Sequence, residues 1–323
     1  MKISIIIPTR NRPKSLEKLL LSILVQKTLP DEIIVVDDSD NLKTERLIDR
    51  LDKFFVEKKV KIRYFRRKQN ATPNRVSISH ARNVGSKKAR GDIVCFLDDD
   101  VVLRRNYLRE IMYVFEKYPS ALGVQGFIVN ESYSHFWNSV RKVFYYWHAE
   151  PNRCRVLPSG KTTHACAPAE IIPCEWLVGG ITAYKKEVFK EFSFNEKLLG
   201  YSLGEDKEFS YRVYRKYPRS LFLTPFAQAY HYPPPSKDIS KCKILTIIAY
   251  PIGFFYNNIE QTLKNKIIFI WSEIGRLFLN IIWSLPSITA IKQILDSYIC
   301  TIKHFKDIKN ENYQFIFDMD VEE

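Results

Sequence analysis

Three adjacent carboxylates, Asp98-Asp99-Asp100, end the apolar run Ile93-Val94-Cys95-Phe96-Leu97. Like charges packed this closely repel one another unless a cation or a basic partner offsets them. The cluster therefore suits either a solvated acidic turn or a divalent cation shared with phosphate oxygens, the usual habit of Mg²⁺. Two further places repeat the pattern. Glu32-Ile33-Ile34-Val35-Val36 stops at Asp37-Asp38, and Gly204-Glu205-Asp206 opens a helical pattern that buries Phe209, Val213 and Tyr214. A carboxylate at that helix start could act as a general base, or could simply complement the helix dipole.

The surrounding pattern predicts how these groups come together. Met1 to Pro8 reads as a buried first strand, too short an apolar run for a signal peptide. Pro13 and Ser15 then start a helix with apolar residues at 16, 19, 20, 23 and 24. A strand ends at Asp37-Asp38, Leu47, Ile48 and Leu51 mark a second helix, and Val60 to Phe65 reads as another strand. A third helix over about Ser79 to Ala89 leads through Gly91 into the strand before Asp98. Alternating strands and helices predict an α/β fold with a mostly parallel central sheet. Right-handed crossovers then place Pro8-Thr9, Asp37-Asp38 and Asp98–Asp100 along one sheet edge, where ligands of open α/β sheets bind. No GxGxxG follows the first strand and no Walker motif occurs, so a bound pyrophosphate needs another source of positive charge.

The chain has 323 residues, 46% of them hydrophobic, and a formal net charge of +14, which draws it toward polyanions. No nucleic-acid-reading motif accompanies that charge, so nucleic acid is not an expected partner. The six cysteines form no CxxC pair, which argues against a zinc site or a disulfide framework and fits a reducing, cytoplasmic setting. Cys154, Cys166 and Cys174 could still meet in one loop region.

In order and spacing, Ser4-Ile5-Ile6-Ile7-Pro8-Thr9-Arg10-Asn11-Arg12, Val35-Val36-Asp37-Asp38-Ser39, Ala81-Arg82-Asn83-Val84-Gly85 and Phe96-Leu97-Asp98-Asp99-Asp100 resemble the family 2 glycosyltransferases of GT-A fold. The resemblance continues through Gly179-Gly180, Gly204-Glu205-Asp206 and His231, and covers residues 1–235. It implies an inverting transfer from a UDP- or GDP-linked sugar to an acceptor hydroxyl. Pro8, Thr9, Arg10, Asp38, Asp98 and Asp99 would hold the nucleotide, with Asp38 toward the base and Arg82 and Asn83 reaching the donor. Asp100 would bind the metal, although three successive Asp residues leave Asp99 as an alternative ligand. His231 is either a second ligand, which would favour Mn²⁺ somewhat over Mg²⁺, or structural. Asp206 would be the general base and Glu205 would orient the acceptor or the neighbouring loop. Gly179 and Gly180 would lie against the sugar and acceptor, and Trp176 is either a stacking platform or core. A nucleotidyltransferase is disfavoured because Thr9-Arg10-Asn11-Arg12 has no glycine. A non-catalytic sugar- or nucleotide-binding module is disfavoured because Asp98, Asp100 and Asp206 are all present.

After Pro233-Pro234-Pro235-Ser236 the composition shifts, and residues 236–323 read as an amphipathic helical region rich in Ile, Phe, Tyr, Trp and Lys. Its apolar runs are short or interrupted by Glu273 and Arg276, which disfavours a span of the roughly 20 apolar residues a bilayer needs. The pattern predicts either reversible association with anionic lipid at the cytoplasmic face or a helical subdomain packed on the catalytic core. The first reading fits a polyprenyl-linked or surface glycan acceptor.

Overall fold

A computed structural model describes residues 1–67, 77–200, 202–234 and 240–318. Its centre is a sheet whose first half is parallel. Strands β1 (Ile3–Thr9) and β2 (Glu32–Asp37) are buried along their whole length, and β3 (Lys61–Arg66) forms the outer edge. Strand β4 (Ile93–Leu97) lies on the other side of β1. Strands covered on both faces read as unbroken apolar runs, which is why these segments stand out in the sequence. The connecting helices are α1 (Pro13–Leu24), α2 (Lys43–Glu57) and α3 (Ile78–Lys88). Pro13 occupies the first turn of α1, where a missing N–H costs nothing.

The chain then runs through β5 (Val101–Leu103), α4 (Tyr107–Lys117) and β6 (Gly123–Ile128). Helix α5 (His135–Val143) and the small pair β7 (His148–Pro151) and β8 (Thr163–Cys166) follow. Strands β9 (Ile172–Cys174), β10 (Ile181–Lys185) and β11 (Leu221–His231) complete the main sheet, with α6 (Glu205–Lys216) between the last two. The order is β3-β2-β1-β4-β10-β6-β11-β5, with β9 beside β11. Neighbours from β3 to β4 are parallel, as are β6 and β11, while β10 runs antiparallel between β4 and β6. One apolar layer packs α1, α2 and α4 against the sheet, and a second packs α3 and α6 against its other face.

The register of the parallel half delivers the predicted convergence. Thr9 pairs with Asp37, Ile6 pairs with Phe96, and the Asp38 N–H donates to the Thr9 carbonyl at 2.9 Å. All three acidic or polar strand ends therefore leave the sheet on one side. Cys154 and Cys174 meet across an isolated bridge, while Cys166 lies in β8; none of the six cysteines is in a disulfide.

The C-terminal helices divide between the two alternatives given for residues 236–323. Helix α7 (Lys241–Asn258) is largely buried, and with α10 (Phe305–Lys309) and α11 (Gln314–Asp318) it encloses a third apolar cluster. The packed-subdomain alternative describes these three. Helices α8 (Leu263–Ser284) and α9 (Ile288–Lys303) behave differently, each burying one side only. Glu273 and Arg276, which break the apolar pattern of α8, point inward and pair with each other. Pro235 and Ser236, and the boundary expected there, lie outside the described residues.

Candidate active site

The three aspartates after β4 have separate surroundings. Asp98 is the most exposed, and its Oδ1 accepts from Arg82 Nη2 at 2.9 Å. Asp99 is buried; its Oδ2 accepts from Thr9 Oγ1 at 2.7 Å and its Oδ1 lies 3.3 Å from Arg12 Nη1. Burial pushes the Asp99 carboxyl up to about 6 against the pull of Thr9 and Arg12. Asp100 Oδ1 lies 3.4 Å from His231 Nε2, and its Oδ2 lies 3.2 Å from Arg12 Nη1. Burial alone would raise Asp100, but His231 and Arg12 hold it below the usual carboxylate range. The Asp100 hydrogen bond in turn raises His231. Strand pairing causes this meeting: His231 is opposite Val101, and the Tyr232 N–H donates to the Asp100 carbonyl at 2.9 Å.

Arg82 joins this edge to the helix that carries the remaining carboxylates. It is 1% exposed, donating through Nη2 to Asp98 and through Nη1 to Glu205 Oε1 at 2.5 Å. Burial, then the charge of Asp206, push the Glu205 carboxyl up to about 8 although Arg82 opposes this. Asp206 is half-buried at the start of α6, and its Oδ2 accepts from the Gly179 N–H at 2.9 Å. Ser210, one turn on, accepts from the Leu177 N–H at 2.9 Å, so the turn before β10 is pinned to α6 at two points.

That geometry explains Gly179 and Gly180. A Cβ on Gly179 would stand 2.5 Å from Arg82 Nη1, and one on Gly180 would stand 2.4 Å from Asp98 Oδ2. The space is taken by the protein's own charged groups, Arg82 and Asp98. Gly180→Ala should therefore push Asp98 out of place. Overpacking costs about 1–3 kcal/mol, so nucleotide affinity measured by calorimetry should fall roughly tenfold while the protein stays folded.

Other expected site residues are placed as follows. Pro8 is buried within β1, and the Thr9 side chain is committed to Asp99. Arg10 is half-buried, 3.8 Å from Asp40. Asp38 is buried and clasped by Arg67 through two hydrogen bonds. Arg82 sits within α3, buried beneath the site. Asn83, beside it, exchanges hydrogen bonds with the Phe194 backbone at 2.9 and 2.8 Å, which corrects its expected reach to a donor. Trp176 is buried with Nε1 donating to the Thr163 carbonyl at 3.0 Å, so of its two readings the structure gives core.

Sequence reasoning missed Arg12 as the counter-charge of Asp99 and Asp100, although a basic turn after β1 was its signal. It also missed Lys207, whose buried ammonium donates to the Gly160 carbonyl at 2.9 Å and lies 3.7 Å from the Phe254 ring centroid. Burial and neighbouring Lys161 push Lys207 down to about 7. Lys161 reaches Glu273 of α8 at 2.9 Å, so the turn around Gly160 ties the first turn of α6 to the C-terminal helices. No spacing in the sequence announces that contact.

Over residues 4–192 the sequence matches the family described as glycosyl transferase family 2. Escherichia coli chondroitin synthase is 26% identical over 80% of this chain and 40% of its own length. Pasteurella multocida hyaluronan synthase is 27% identical over 73% of this chain and 25% of its own. The chain thus spans well under two thirds of these relatives. A Campylobacter jejuni protein, the GalNAc(5)-diNAcBac-PP-undecaprenol beta-1,3-glucosyltransferase, is 29% identical over 66% of this chain and 64% of its own. Among solved structures, residues 1–349 of S. aureus TarS superpose with a TM-score of 0.57 at 17% identity, covering 98% of this chain and 90% of that one. GalNAc-T7, solved with UDP, GalNAc and Mn2+, gives 0.55 at 17% identity over 85% of this chain and 55% of that one. At such identity the likeness shows the fold, the GT-A arrangement.

Proposed function

This chain belongs to glycosyl transferase family 2, and from that premise we propose that it is an inverting glycosyltransferase using a UDP- or GDP-linked sugar. The observation that carries the proposal is the Arg82 bridge, which ties the carboxylate edge of β4 to the carboxylates of α6. Residues 1–235 would form the catalytic unit. The nucleotide would lie along the ends of β1, β2 and β4, contacting Arg10, Asp38 and Asp98.

The donor set at Asp100 and His231 fits a divalent cation. Among the described residues no three His, Cys, Asp or Glu side chains form a closed cage. Mg²⁺ sites of this kind take one or two protein ligands and complete an octahedron with phosphate and water. A carboxylate and an imidazole 3.4 Å apart supply those two ligands, and Mn²⁺ would suit the imidazole better. When bound, the cation would stabilise negative charge on the departing nucleoside diphosphate. Arg12, already beside Asp99 and Asp100, can turn toward that diphosphate.

Asp206 would take the acceptor hydroxyl proton as the oxygen attacks the anomeric carbon opposite the leaving group. Two backbone N–H groups, of Gly179 and Lys207, hold its oxygens at 2.9 and 2.7 Å, which fixes the carboxylate while leaving it half-exposed. Glu205, raised and buried, stays beneath it and orients Arg82. The names of the relatives support a glycan or lipid-linked acceptor, with the enzyme peripheral on the cytoplasmic face of the membrane.

Calorimetry with UDP and GDP, with and without Mn²⁺, tests the donor and metal assignments. Binding should strengthen at least tenfold with Mn²⁺, and Asp100→Ala or His231→Ala should remove that gain. Equal affinity in the presence of a chelator would take the metal out of the reaction.

A further inference from the structure

Much of the exposed apolar surface lies on three helices that the sequence placed in different regions. On α8, Leu263, Ile267, Ile270, Ile274 and Phe278 recur at helical spacing and face outward, Leu263 being 76% exposed. On α9, Ile288, Leu295, Ile299 and Ile302 form a second stripe, with Ile288 81% and Ile302 71% exposed. Helix α5, which belongs to the expected catalytic part, has no buried residue and exposes Phe136 (68%) and Val143 (63%).

These helices are neighbours. Phe144, at the end of α5, packs on Trp271 and Phe278 of α8, and Trp271 Nε1 donates to the Val143 carbonyl at 2.9 Å. Trp137 of α5 meets Trp283 of α8 edge to face at 5.8 Å. From the buried side of α8, Arg276 Nε donates to the Tyr298 hydroxyl of α9 at 3.1 Å. The outer stripes therefore adjoin, with α8 in the middle. An apolar surface of this extent on a soluble protein marks a contact with lipid or another macromolecule.

Charge selects the occupant. By helical spacing Lys266 falls between Leu263 and Ile270, Lys292 between Ile288 and Leu295, and Lys303 follows Ile299 by one turn; all three are exposed. Arg141 and Lys142 flank the α5 stripe, and Asp296 is the exposed acidic residue on α9. Apolar stripes interrupted by lysines suit the boundary of an anionic bilayer, where acyl chains meet the apolar side chains and headgroups meet the ammonium groups. A second copy of the chain would bring these lysines against one another.

By length and composition alone α8 could cross a membrane. Its inner side opposes that. Arg276 donates to the Ile247 carbonyl at 2.8 Å and pairs with Glu273, which holds Lys161. Spanning would strip these charges from their partners and expose them to hydrocarbon.

We infer that the joint outer face of α5, α8 and α9 docks on anionic lipid, with α8 lying in the interface. Helix α5 follows the segment where Asn130 brackets His231 through two hydrogen bonds, at 2.9 and 2.7 Å, so the face adjoins the rim of the candidate site. That orientation rests on the transfer reaction proposed above. Docking does not, and it is measured without donor or acceptor, so the two can fail separately.

The test is flotation of the full chain with vesicles of mixed phosphatidylglycerol and phosphatidylcholine, and with phosphatidylcholine alone. Binding should favour the anionic vesicles and weaken on raising salt. Lys292→Gln should reduce it by on the order of fivefold, as loss of one charge near a charged surface does. Phe136→Glu with Ile270→Glu should reduce it more than tenfold, whereas Val56→Glu, equally exposed on distant α2, should change nothing. Melting curves establish that each variant is folded. Failure of the wild-type chain to bind anionic vesicles at low salt would overturn the inference. So would a wild-type dimer in light scattering that Phe136→Glu with Ile270→Glu converts to monomer.

Discussion

Asp206→Asn should give a folded protein that binds donor nucleotide normally and transfers sugar about 10²–10⁴-fold more slowly, the usual cost of losing a general base. The substitution is suited to its purpose because Asn keeps an oxygen to accept the Gly179 N–H, which Asp206 now accepts at 2.9 Å. The turn before β10 and the position of Arg82 should therefore persist, and what is lost is the proton acceptor together with the bond that the second carboxylate oxygen accepts from the Lys207 N–H at 2.7 Å. kcat should carry the effect, while calorimetric affinity for UDP or GDP stays within about twofold, since the changed atom is on α6 and not among the strand-end groups proposed to hold the nucleotide. Removing the Asp206 charge also removes one cause of the raised Glu205 carboxyl, so Glu205 should titrate lower in the variant. Near-normal turnover would pass the base role to Glu205, whose own substitution would then be the deleterious one.

The strand ends were legible because burial on both faces makes each strand an unbroken apolar run, and the carboxylates mark where burial stops. Periodicity likewise located α1, α2 and the start of α6, since each has one apolar side, whereas α3 buries Ser79, Arg82, Asn83 and Ser86. What could not be read was the direction each polar side chain takes once the ends converge. Asp98, Asp99 and Asp100 are equivalent in the sequence, yet Thr9 turns the second inward and β11 brings His231 to the third. Arg82 looked like a donor contact because it is basic and near the edge. Its partner Glu205 is 123 residues away, and only the packing of α3 against α6 brings them together. The C-terminal region shows the same limit. Composition suggested one amphipathic surface, but which stripes stay outside depends on α7 filling the third apolar cluster and on α8 turning Arg276 inward.

Arg82→Met should be among the most destabilising single substitutions in the chain. It removes a fully buried cation and leaves Glu205 without its ion-pair partner and Asp98 without the hydrogen bond that holds it. Breaking a buried pair from one side costs about 3–5 kcal/mol, so the melting midpoint should fall by several degrees and transfer should be lost. Arg82→Lys should recover part of the stability but little activity, because one ammonium cannot reproduce the fork that reaches Glu205 and Asp98 together. A pH series separates the role of charge from that of packing. The Glu205 carboxyl is raised from an ordinary 4.5 to about 8, so between those values the folded state binds the extra proton. Stability contributed by this group must then fall as pH rises through that window. Glu205→Gln should flatten the slope, and Arg82→Met should extend it to higher pH, because the neighbouring charge that favours the ionised form is gone. Arg82→Met combined with Glu205→Gln should regain much of the lost melting temperature at pH 8 and none of the transfer. Recovery of activity in that double variant would mean that the bridge serves stability alone and that Asp98 holds its position without it.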